Sequence, residues 1–211
     1  MEYELIYVAD PMCSWCWGFS PVIESVKEHF ESQLSTRLLL GGLRPGTKEP
    51  MGESMKAEIE EHWKHVHQAT GQPFDYAFFD REGFIYDTEP AARAVVAVRH
   101  LEPDSMFDFL KRVQEAFYAM NRDVTDSDVL ARIAVESGLN QEAFIAEFST
   151  DETVEETWRD FETSRRMGVT GFPTLLAGKD EGSYEIITAG YRPWEAVREL
   201  IEEWEKKTGD R

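Results

Sequence analysis

Asp10-Pro11-Met12-Cys13-Ser14-Trp15-Cys16-Trp17-Gly18-Phe19 decides the reading of this chain. It holds the only two cysteines of 211 residues, spaced as one C-x-x-C. Just before it, Glu4 to Ala9 (Glu-Leu-Ile-Tyr-Val-Ala) reads as a buried strand of branched and aromatic residues, ended by Asp10-Pro11. After it the pattern turns helical from about Cys13 to Gln33, with Val22, Ile23, Val26 and Phe30 three and four apart. Pro21 inside that run predicts a kink, or a restart with Ser20 as cap. Thr36 to Leu40 is a second strand, closed by Gly41-Gly42. Strand, helix and strand in that order imply a parallel pair with a right-handed crossover.

Further along, residues 48 to 168 carry no convincing strand. Helical candidates run over Glu53–Ala69, Glu89–His100, Met106–Met120, Ser127–Ser137, Gln141–Phe148 and Val154–Met167. That is too much helix for a simple crossover. Strands return at Pro173 to Ala177 and Tyr184 to Thr188, around the turn-like run Gly178 to Gly182. Pro193 then opens an amphipathic helix with Val197, Leu200, Ile201 and Trp204 on one face. The expected fold is α/β, with residues 1–47 and 151–211 forming the core and 48–150 an inserted helical subdomain.

A pair of cysteines this close is poorly explained as a staple, because the constraint on the unfolded chain grows with loop length. It is well explained by disulfide exchange, which needs a thiolate. A helix start supplies unpaired N–H groups and a dipole that favour negative charge on Cys13. Cys16 lies one turn deeper. Cys13 is therefore expected to be the nucleophile and Cys16 the resolving thiol. Ser14 can donate toward sulfur and tune the pair. Trp15, Trp17 and Phe19 are expected to stand exposed as apolar contacts for substrate. Zinc on the two cysteines would need two more ligands, and no second C-x-x-C exists.

Gly171-Phe172-Pro173-Thr174 is the second signal. A proline opening a returning strand suits a cis bond. A cis Pro173 would bend the backbone beside Cys13 and present Phe172 for pairing with an extended substrate.

This order of elements, ending in Gly-Val-Thr-Gly-Phe-Pro-Thr, resembles the DsbA family of the thioredoxin superfamily. The cysteine segment is similar to its FrnE-like branch, as are Ala116-Phe117-Tyr118, Asn121 to Asp126, Val129-Leu130 and Gly138-Leu139. The resemblance implies a thioredoxin-like fold with a large all-helical insertion. It also implies a nucleophilic Cys13, a cis Pro173 and thiol–disulfide oxidoreductase or isomerase activity. No cofactor is expected beyond the redox-active disulfide, with glutathione or a thioredoxin system as candidate redox partners. The expected substrate is a protein or small-molecule thiol or disulfide. Two departures separate the chain from the periplasmic oxidase type: Ser-Trp replaces Pro-His between the cysteines, and no export signal is expected.

Two alternatives stay open. One is a glutathione-dependent isomerase of small aromatic substrates, although that branch typically has serine at the nucleophile position. The other is a thioredoxin-like adaptor holding a protein partner. A net charge of −19 and a pI near 4.6 argue against nucleic acid and anionic membranes as partners. The Met1-Glu2-Tyr3-Glu4 start has no basic leader, so a cytoplasmic location is expected. His62, His65 and His67 share a helical candidate but find no completing ligand, and read as surface histidines. The aromatic stretch from Phe74 to Tyr86 reads as core, or as a wall of the substrate groove.

Overall fold

The computed structural model describes residues 3–179 and 183–209. Its sheet has four strands, β1 (Glu4–Ala9), β2 (Ser35–Leu40), β3 (Thr174–Gly178) and β4 (Glu185–Ala189), in the order β2-β1-β3-β4. β1 pairs in parallel with β2 and antiparallel with β3, and β3 pairs antiparallel with β4. The expected turn between β3 and β4 falls partly on residues 180–182, outside the described residues.

β1 is central, so both its faces must be apolar. Leu5, Tyr7 and Ala9 join the main core, and Ile6 and Val8 meet Leu39, Val169 and Leu176 on the opposite face. This alternation is the period of two that a strand imposes.

α1 (Ser14–Phe30) crosses from β1 to β2, and α8 (Trp194–Gly209) packs against it and β4. Pro21 neither ends α1 nor restarts it. A proline lacks the N–H that would bond four residues back, which frees the carbonyl of Trp17. Ser20 Oγ donates to that carbonyl at 2.9 Å and Gln72 Nε2 at 3.0 Å, so the helix continues.

Between β2 and β3 come α2 (Glu53–Thr70), α3 (Glu89–Leu101), α4 (Met106–Tyr118), α5 (Ser127–Glu136), α6 (Gln141–Phe148) and α7 (Asp151–Arg166). Within this stretch the only pairing of extended backbone among the described residues is an isolated bridge from Pro50 to Ile85. α3 is apolar on nearly every side. Ala91, Ala92, Ala94 and all of Val95 to Val98 are fully buried, and α4, α5, α6 and α7 pack around it.

The aromatic stretch is core. Trp63 is fully buried and sits with its ring centroid 5.0 Å from that of Phe78, while Phe84, Tyr86 and Phe117 close on the same cluster. Of the aromatic residues in the stretch only Tyr76 is exposed. His62 and His65 are exposed on α2, and His67 Nδ1 lies 2.8 Å from the Gln72 carbonyl. No group of three or more potential metal ligands comes together among the described residues.

Candidate active site

The end of β1 delivers Asp10, Pro11 and Met12 to a tight turn, closed by Cys13 N–H donating to the Asp10 carbonyl at 3.1 Å. Cys13 is the N-cap of α1, with extended backbone (φ −96°, ψ 115°), and its carbonyl accepts from Cys16 and Trp17 N–H at 3.0 Å each. Cys13 thus stands at the open end of the helix, where N–H groups lack partners, but its thiol makes no capping hydrogen bond to them. Cys13 keeps a sliver of exposure and Cys16 has none.

The second arm comes from 160 residues away in sequence. The Phe172–Pro173 peptide is cis. Thr174 Oγ1 donates to the Gly171 carbonyl at 2.8 Å and holds the bend. The Cys13 thiol donates to the Phe172 carbonyl at 3.5 Å. Pro173, with no N–H, leaves its carbonyl to accept from Gly190 N–H at 2.7 Å. β3 itself begins at the next residue, Thr174.

Gly41 seats this bend. A Cβ on Gly41 would lie 2.1 Å from Phe172 Cε1, so the ring lies flat against bare backbone. Gly41→Ala is expected to push the ring and the Phe172 carbonyl away from Cys13. A misplacement of about 1 Å can cost ~100-fold. Disulfide-exchange turnover should fall by ~10-fold or more, while circular dichroism keeps the wild-type helical signal. Unchanged turnover would show that the ring relaxes without moving the carbonyl.

Under the cysteines lies a buried polar group that the sequence disguised. Asp10 is fully buried, with Oδ1 accepting from Met12 N–H at 2.8 Å and Oδ2 from Leu43 N–H at 2.7 Å. Burial raises its pKa from 3.8 to about 6, against the lowering effect of those donors and of the Thr88 hydroxyl. Burial also pushes the Cys16 thiol well up, helped by the neighbouring Cys13 and the Asp10 charge. Three buried phenols complete the floor. Tyr86 Oη donates to the Met12 carbonyl at 2.8 Å. Tyr7 and Tyr118 are held protonated, chiefly by burial and then by neighbouring groups, Cys13 among them in both cases.

Several expected contacts differ. Trp17 is buried rather than exposed, because its indole Nε1 donates to the Pro73 carbonyl at 3.0 Å across to the segment after α2. It therefore offers no surface to substrate. Phe19 is fully buried and stacks on Tyr7 at 5.7 Å. Ser14 is half-buried, and its hydroxyl donates to neither sulfur. Trp15 is half-buried against Tyr191, ring centroids 5.8 Å apart, and stays beside the site. Phe172 is also half-buried. Asp10 could have been suspected from its place three residues before Cys13, but Asp-Pro reads first as a strand stop. Gly41 carries no signal in the sequence, since the ring that covers it is 131 positions away.

The thioredoxin family model matches residues 6–198. A "putative protein disulfide isomerase" from Nitrosomonas europaea is 40% identical, with a TM-score of 0.92 over 98% of this chain and 99% of that one. The cytosolic disulfide reductase DsbM from Pseudomonas aeruginosa, solved also with GSH, is 27% identical, with a TM-score of 0.78 over 96% and 98% of the two chains. Among curated relatives, the ClpXP adapter protein SpxH of Shouchella clausii is 23% identical over 203 residues, covering 95% of this chain. The chain spans 66% of that adapter's length. The chain belongs to the thioredoxin family and has its DsbA-like fold, a C-x-x-C core carrying inserted helices.

Proposed function

We propose that this protein is a thiol–disulfide oxidoreductase working through Cys13 and Cys16. One observation carries the reading: Cys13 is the N-cap residue of α1, and its thiol lies 3.5 Å from the carbonyl that precedes a cis proline. The Cys13 thiolate attacks one sulfur of a substrate disulfide, and the other sulfur leaves as thiolate and takes a proton from solvent. Cys16 then attacks Cys13 in the mixed disulfide, forming the Cys13–Cys16 bond and releasing the second substrate thiol. The Phe172 backbone and Pro173 shape the groove, with Trp15 at its edge.

The direction we infer is reductive, with glutathione restoring the dithiol, in a reducing compartment. Likeness to a cytosolic disulfide reductase solved with GSH supports this, at 27% identity. No helix among the described residues is long and apolar enough to cross a membrane. The test is catalysis of insulin reduction by glutathione, with titration of the cysteine pair in glutathione buffers. Absence of catalysis, or a pair that never forms its disulfide, would end this reading.

An adapter role is the second reading, favoured by the curated relatives named ClpXP adapters. It predicts that a variant lacking both thiols still binds its protein partner and keeps its cellular effect.

A further inference from the structure

A gap opens between α1 and α4, lined among others by Tyr7, Ser20, Ile23, Lys27, Leu110 and Gln114. The space open to the centre of a water molecule is about 20 Å³. One water needs ~10–15 Å³ by that measure. Two residues lining this gap each hold a buried polar atom without a hydrogen-bond partner among the described residues, Tyr7 Oη and Gln114 Nε2, and each residue is only 1% exposed. Leaving such groups unpaired is costly, and native interiors answer with a bound water. Ser20 does not satisfy them, since its hydroxyl donates to Trp17 and accepts from Gln72. The gap leads outward to a charged rim, where Lys111 pairs with Glu24 at 2.6 Å and Asp108 is exposed.

Inward, Tyr7 shares the buried cluster of Cys16, and the two thiols act on its hydroxyl electrostatically. Asp10, the other buried group near Cys16, does not line the gap, and its oxygens are engaged by Met12, Leu43 and Thr88.

We propose that Tyr7, Gln114 and one water held between them form the proton path of the resolving thiol. The proposal rests on the thiol–disulfide reading above. As Cys16 attacks the mixed disulfide, its S–H proton passes to Tyr7 Oη while the Tyr7 hydroxyl proton passes to the water. The water, oriented by Gln114 Nε2, loses a proton to solvent past Glu24 and Asp108. The Cys16 sulfur forms its bond to Cys13, and the substrate thiolate that leaves is protonated by solvent. Tyr7 ends as it began, a neutral phenol.

Ellman's reagent resolves the two steps. The reduced protein releases one thionitrobenzoate when Cys13 attacks and a second when Cys16 resolves. In stopped flow, Tyr7→Phe is expected to leave the first release unchanged and slow the second by about tenfold or more. It should also diminish the slowing of that second phase in heavy water. Gln114→Leu, from the other wall of the gap, should slow the same phase. A second phase unchanged in either folded variant overturns the proposal, as does equal slowing of both phases, which marks a general structural effect. If Tyr7→Phe does not fold, Gln114→Leu decides by the same criteria. If the wild-type protein gives no second release, the thiol–disulfide reading itself falls, and the relay with it.

Discussion

Cys13→Ser is expected to abolish insulin reduction, whereas Cys16→Ser stops the reaction halfway. Cys13 alone keeps exposure at the open end of α1 and faces the Phe172 carbonyl, while Cys16 has no exposed surface. A substrate disulfide can reach only the first sulfur. Without it, the buried Cys16 has nothing to resolve. Without Cys16, the first attack still proceeds, and the mixed disulfide persists until an external thiol arrives. Aligned intramolecular groups act at effective molarities far above the millimolar range of such thiols. Turnover of Cys16→Ser should therefore fall by ~100-fold or more, with one equivalent of substrate thiol bound covalently and visible by mass spectrometry. Equal accumulation of adduct on Cys13→Ser would reverse the assignment of nucleophile and resolving thiol.

Stability should depend on pH through Asp10 more than through any exposed carboxylate. Its pKa rises from 3.8 to about 6 on burial. A raised pKa means that the folded state holds the proton more tightly than the unfolded chain. The stabilisation is therefore complete below pH ~3.8 and fades as pH rises through ~6. At about 1.4 kcal/mol per pH unit the full effect is roughly 3 kcal/mol, of which about 2.4 kcal/mol is lost between pH 4 and pH 7.5. Asp10→Asn removes this dependence. It also turns an amide N–H2 toward one of the two backbone donors now served by Asp10, costing about 1–3 kcal/mol at every pH. Urea denaturation of both proteins should show the wild type ahead by most at pH 4, its lead shrinking by about 2.4 kcal/mol toward pH 7.5. The other titrating groups are common to both proteins and cancel in the difference. A lead independent of pH would show that Asp10 is ionised throughout.

The elements were legible because local pattern sets them. Glu4–Ala9 alternates two apolar faces, and the six helices between β2 and β3 carry periodic apolar positions and readable caps, such as Asp126 accepting from Asp128 N–H at 2.8 Å. Cys13 and Cys16 were legible because two cysteines three apart suit disulfide exchange and little else when no further ligand or cysteine accompanies them. What local pattern missed depends on partners distant in the chain. Trp17 looked exposed because nothing nearby covers it, yet Pro73 receives its indole N–H. Pro21 looked like a break because the donor from Gln72 that heals it lies 51 positions on. Asp10 looked like turn punctuation because Leu43 N–H, its second partner, follows a whole helix and strand later. Tyr7 read as a core strand residue, which it is, while the gap at its hydroxyl exists only once α4 is in place.

α3 steadies the backbone on which Phe172 rests. A rod sheathed on nearly all sides by other helices has no free face along which to slide or tilt. Its Arg99 also anchors it, through Asp160 at 3.0 Å, to the α7 carboxylate that caps Leu40 N–H at the end of β2. Gly41, the seat of Phe172, is the next residue. The Phe172 carbonyl that faces Cys13 thus inherits its position from a stiff frame. In the thiol–disulfide exchange proposed above, such a frame makes the site a mould that accepts or refuses a disulfide by fit, rather than a jaw that closes on whatever enters.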